Sequence, residues 1–214
     1  MKSKAEEEPF RAFKKNMEKA RTVLMLTRAK EFKAVLEKVG FGEQIRQIIR
    51  SRPRLIPLFK NVADSMVESF EAQIEPIIQE KVMELYELAL PQILVFMISC
   101  LEAYLKDNYS LHSGHNVKSL LNVRTISETY GRLIHGDIFN GDEELRKDLQ
   151  EVLQTRHVIV HKGGIIDEEA CEKAERWDQS MVNKEIKLNS SIVEGYLEIV
   201  EKFGKVVHER TAGI

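Results

Sequence analysis

The chain has 214 residues, of which 43% are hydrophobic and 31% charged, and its formal net charge is −2. That suffices for one domain, or for one domain with a helical extension, and 11 Gly with 5 Pro are too few for a loop-rich β fold. Two cysteines, Cys100 and Cys171, make no disulfide framework, so a reducing cytoplasm is the expected location.

The first eight residues lack an apolar stretch, so no signal peptide is expected. The acidic run 6–8 and Pro9 suit the positive end of a helix, and Phe10, Phe13, Met17, Ala20, Leu24 and Thr27 recur at three- and four-residue steps. They predict a long amphipathic helix over 9–39, ended by Gly40-Phe41-Gly42. A shorter helix is expected over 43–50, followed by the breaker Ser51-Arg52-Pro53-Arg54-Leu55-Ile56-Pro57. Residues 1–60 hold 16 Lys+Arg against 7 Asp+Glu, and the rest of the chain 16 against 27. A basic front half of this kind contacts nucleic acid or an acidic partner, with Lys14, Lys15, Arg50 and Arg52 as candidate RNA-binding residues. The plainer alternative is pairing with the acidic half of the same chain or of a second subunit.

Helical periodicity returns at 58–74 and again at 77–90, stopping before Pro91, which then suits the first turn of a helix over 92–106. The apolar run from Ile93 to Leu101 falls far short of the roughly 20 residues a membrane span needs, so it reads as a buried helix and no membrane contact is expected. Residues 108–141 are the least regular and read as a partly helical surface insertion, with a short helix near 117–121. Asp142-Glu143-Glu144 opens another helix with acid at its start, and Leu145, Leu149, Val152 and Leu153 mark its buried face. It runs into Arg156 and His161 and is stopped by Gly163-Gly164. Residues 184–188 alternate polar and apolar, which predicts a brief extended segment, and Asn189 or Ser190 caps a last helix to about His208.

The densest polar chemistry is Arg156-His157-Val158-Ile159-Val160-His161-Lys162-Gly163-Gly164. His157 and His161 are four apart and share a helical face; Arg156 lies about 100° around, within reach of the same cleft. An arginine offers a planar fork of donors to a phosphate, and an imidazole moves protons near neutral pH. Together they form a minimal kit for handling a phosphodiester.

This stretch, together with Ile98-Ser99-Cys100-Leu101-Glu102-Ala103-Tyr104-Leu105-Lys106-Asp107, resembles the HEPN (higher eukaryotes and prokaryotes nucleotide-binding) superfamily. The match is to its ribonuclease-like branch, with an Arg-x4-His motif at a helix end, and it covers the chain from about Pro91 onward. The resemblance implies an all-α helical bundle of the HEPN type over 91–214, with residues 1–90 as an N-terminal helical extension. It implies a metal-independent endoribonuclease of toxin–antitoxin or phage-defence type, needing no cofactor and acting as a homodimer that brings two motifs to one cleft. An antitoxin or a defence-system protein is the implied partner. The catalytic set the resemblance implies is Arg156, His161, Glu102 and His157, with Glu102 orienting Arg156 and His157 supporting His161 or contacting phosphate, and Lys162 is a further candidate RNA-binding residue. Gly163 stands where some relatives carry a tyrosine modified by a partner nucleotidyltransferase, so that form of control is not expected.

Other readings compete. A non-catalytic HEPN module would bind RNA or a nucleotide in the same cleft, and a plain all-α interaction module would use the extension to hold a partner. Arg156 and Glu102 alternatively form a structural ion pair, and His157, His161 and Glu102 are conceivable zinc ligands that lack a fourth.

Overall fold

A computed structural model describes residues 4–26, 87–212 and 214. Its helices are α1 (Lys4–Leu26), α2 (Glu87–Ser113), α3 (Val123–Ile134), α4 (Glu143–His161), α5 (Glu168–Lys173) and α6 (Ser190–Thr211), with a 3-10 turn at Gln179–Met181. Among the described residues there is no strand, only the antiparallel bridge of Ile165 with Glu185. The all-α expectation therefore holds, as does the brief extended segment near 184–188.

The chain divides into one unit of Met1–Leu24 with Leu90–Ile214 and another of Met25–Ala89. Residues 1–24 thus belong with 90–214 rather than with an extension running to residue 90. The reason is burial: Phe10, Phe13, Met17, Ala20 and Leu24 are all buried. Phe10 stacks on His208 with ring centroids 4.0 Å apart, Phe13 stacks on Tyr104 at 4.9 Å, and Arg21 pairs with Glu201 at 2.6 Å. The helices expected over 43–50, 58–74 and most of 77–90 lie outside the described residues, as do residues 27–39 of the first.

α2 runs straight through Pro91, where a break was expected. The proline has no N–H to donate four residues back, so α2 continues past it with one backbone bond fewer. The helix ends at Gly114 (φ 71°), whose N–H donates to the Ser110 carbonyl at 2.9 Å. At 27 residues α2 is, by length and composition, long and apolar enough to cross a membrane. In this fold Ile93, Leu94, Met97, Ile98, Leu101 and Leu105 are buried, so this face of α2 is core, as the reading of a buried helix requires.

Residues 108–141 are not a surface insertion. Asn122 caps α3, accepting from Arg124 N–H at 2.8 Å, and Val123, Ile126 and Tyr130 face the core. Leu120, Ile138 and Phe139 are buried as well, and 117–121 is not helical. The Tyr130 hydroxyl donates to the Leu105 carbonyl at 2.7 Å and lies 3.2 Å from Asn108 Oδ1. Asn108 Nδ2 in turn donates to Thr211 Oγ1 at 3.1 Å. These buried polar groups satisfy one another and pin α2, α3 and α6 together.

α4 begins at Asp142, which accepts from Leu145 N–H at 3.0 Å, and buries Leu145, Leu149, Val152, Leu153, Thr155 and Val158. It packs on α6, which starts at Asn189, where the side chain accepts from Ile192 N–H at 2.9 Å. A second, smaller core of Val158, Ile166, Ala170 and Cys171, with Trp177, Met181, Val182 and Ile186 against it, seats α5 and the following turn on α4.

Candidate functional site

The site is built on the last two turns of α4. Gly163 and Gly164 both have positive φ (61° and 85°), and Gly164 N–H reaches back to the Val158 carbonyl at 3.1 Å, so the chain stops and reverses immediately after His161. The reversed strand pairs with residues 183–186: Ile166 N–H donates to the Lys184 carbonyl at 3.0 Å and Ile186 N–H to the Gly164 carbonyl at 2.8 Å. Tyr196 of α6 donates to Glu151 Oε1 at 2.9 Å and lies 3.2 Å from Thr155 Oγ1, which holds α4 one residue before the arginine.

Arg156, His157 and His161 come together, the histidines through their i,i+4 spacing and the arginine through the reach of its side chain. Arg156 Nη1 lies 3.4 Å from His161 Nε2, and the His157 and His161 ring centroids are 4.9 Å apart. Arg156 is half-buried; its Nε is enclosed and has no hydrogen-bond partner, and no carboxylate pairs with the guanidinium among the described residues. A partly desolvated guanidinium without a counter-charge is a strong attractor for an anion. Burial holds the His157 imidazole below its ordinary value, and the neighbouring His161, Lys173 and Lys162 lower it further, against Glu169.

Glu102 is not brought to Arg156. Its Oε1 accepts from Lys106 Nζ at 2.8 Å, Ser119 Oγ at 3.2 Å and Leu120 N–H at 3.3 Å. Burial pushes this carboxyl up, but the bonds from Lys106, Leu120 and Ser119 outweigh it and hold it below the usual carboxylate range. Glu102 therefore latches the segment before α3 onto α2. No direct hydrogen bond or ion pair joins Glu102 to Arg156 among the described residues, and no cluster of three His, Cys, Asp or Glu that could hold zinc is present among them.

Lys162 pairs with Asp167 at 2.7 Å, and Asp167 also caps α5 by accepting from Ala170 N–H at 2.9 Å. Lys14 and Lys15 are exposed on α1. Lys14 sits 4.8 Å over the Phe10 ring and lines a groove of about 460 Å³ with Glu198, Glu201, Lys202 and Lys205 of α6, none of them a residue of the motif. Arg50 and Arg52 lie outside the described residues. One cation was missed by sequence reasoning: Lys173, on α5, close enough for its charge to act on His157. Nothing in the local sequence signals it, because Glu169-x3-Lys173 reads as a solvated i,i+4 pair.

Comparison of the chain with protein-family models, with curated proteins and with solved structures yields no match, so the chemistry of this site is argued from its own geometry.

Proposed function

We propose that the chain is a metal-independent endoribonuclease of the HEPN type, of the kind found in toxin–antitoxin and phage-defence systems, working on RNA in the cytoplasm as a homodimer. The observation that carries this reading is the Arg156 guanidinium, half-buried, without a carboxylate partner among the described residues and set against the His161 imidazole. The RNA's own 2′-OH attacks the adjacent phosphorus. One imidazole takes the hydroxyl proton, and a protonated group returns a proton to the departing 5′-oxygen. Arg156 stabilises the charge that builds on the phosphorane oxygens. The products are a 2′,3′-cyclic phosphate and a 5′-hydroxyl. Two copies would place two arginines and four imidazoles around one phosphate, supplying base and acid from separate protomers.

The test is incubation of the purified protein with mixed RNA in EDTA. Cleavage is expected, and Arg156→Ala or His161→Ala should each lower the rate by at least about a hundredfold. Cutting that requires Mg²⁺ and survives both substitutions overturns the mechanism. Binding without cutting, lost in Arg156→Ala, identifies the non-catalytic module instead.

A further inference from the structure

The polar residues of α4 form a stripe. Gln150, Gln154, His157 and His161 follow at four, three and four residues, the repeat that keeps side chains on one helical face. α5 lies along that stripe: Gln150 Nε2 donates to the Lys173 carbonyl, and Ala170 and Cys171 pack with Val158 in the smaller core. This docking fixes the Lys173 carbonyl at Gln150, about two helical turns before His157, and the Lys173 ammonium, paired with Glu169 one turn back along α5, is near enough for its charge to act on the imidazole. On the other flank Arg156 reaches His161. The surface therefore runs from guanidinium through two imidazoles to an ammonium that is paired with the Glu169 carboxylate.

The two lysines beside His157 differ in what holds them. Lys162 is tied to Asp167, whose carboxylate is itself fixed as the cap of α5. Among the described residues the Lys173 ammonium pairs with Glu169 on its own helix, and both side chains are about half exposed or more. Exposed pairs of this kind are weak and exchange readily for another anion.

We propose that Lys173 is a substrate-binding residue of this site and holds the phosphate next to the one at Arg156, so that a single RNA strand lies across His161 and His157. The assignment rests on the ribonuclease reading and specifies its substrate: a single strand with at least two consecutive phosphates.

The experiment uses the full chain, 2′-O-methyl oligonucleotides that cannot be cut, and the matching oligoribonucleotides. Anisotropy against salt concentration counts phosphate contacts, and cleavage gives KM and kcat. Lys173→Ala is expected to reduce the salt slope by about one and to raise KM about tenfold with kcat unchanged. Lys173→Arg restores both, which separates lost charge from lost fold, and Glu169→Gln, which frees the ammonium, lowers KM. If the wild type cuts and Lys173→Ala matches it in slope and KM, the inference falls and the ribonuclease reading stands. If the slope drops as expected but no variant cuts, the inference stands and the ribonuclease reading falls. A wild type that neither binds nor cuts overturns both.

Discussion

Arg156 Nη1 faces His161 Nε2 at 3.4 Å. A guanidinium carries only donors, so the imidazole nitrogen must accept. The contact is a hydrogen bond in the tautomer that carries its proton on Nδ1, whose Nε2 lone pair then faces the arginine. A phosphate that draws Arg156 toward itself uncovers that lone pair. The expected ¹⁵N spectrum at neutral pH shows His161 with an acceptor-type Nε2 and a protonated Nδ1. Arg156→Ala should relax this preference toward the ordinary tautomer mixture. A His161 that carries its proton on Nε2 in the wild type contradicts the arrangement.

His157 gives a pH dependence with a definite sign. Its folded value lies below the ordinary one, chiefly because of burial. In the unfolded chain the ring takes its proton near pH 6.5. Above that pH both states are neutral, and the group leaves stability unchanged. As pH falls below it the unfolded state binds the proton first, and stability drops until the folded ring is also protonated. His157→Gln should flatten this part of the acid loss, seen in urea melts at pH 7.5 and pH 5. Equal slopes for wild type and variant would remove His157 from the account.

Glu102 is expected to matter for stability and not for chemistry. It holds Lys106, Ser119 Oγ and Leu120 N–H, and it touches none of the site residues. Glu102→Ala should cost on the order of 1 kcal/mol, the scale of losing bonds to a charged acceptor that is only partly buried. Catalytic rate per folded molecule should remain that of the wild type. A Glu102→Gln variant that folds normally yet loses activity as Arg156→Ala does would return Glu102 to the site.

The packing of α1 on α6 is tightest at Gly204. A Cβ there would sit 2.3 Å from Phe13 Cε1, and Phe13 is itself buried against Tyr104. Gly204→Ala should destabilise by about 1–3 kcal/mol through overpacking, despite the better helix propensity of alanine. Phe13→Ala opens a cavity and should cost about 3–5 kcal/mol. Combining the two should cost less than their sum, since removing the ring relieves the clash. Additive losses in thermal or urea unfolding would show that the two residues do not meet.

The chain's local order was legible in its residues. Asp142 and Asn189 cap their helices, Gly163-Gly164 stops α4, and the periodic Phe10 to Leu24 and Leu145 to Leu153 sets are buried. The meeting of His157 and His161 follows from their i,i+4 spacing, whereas Arg156, about 140° around the helix from His161, reaches it through the length of its side chain. The α3 signal was also present, in Asn122 and the steps from Val123 to Ile126 to Tyr130, but it is short and set among turn-forming residues. Tertiary structure alone decided which helix faces meet. Glu102 sits on α2 as expected, yet the return of residues 119–120 supplies its partners and Arg156 does not. Residues 1–24 join 90–214, and Lys173 docks against Gln150 of α4, through contacts distant in sequence. Caps and periodicity depend on neighbours within about four residues. Rotation and register between helices are set by the burial of all their apolar faces at once, and no single motif carries that information.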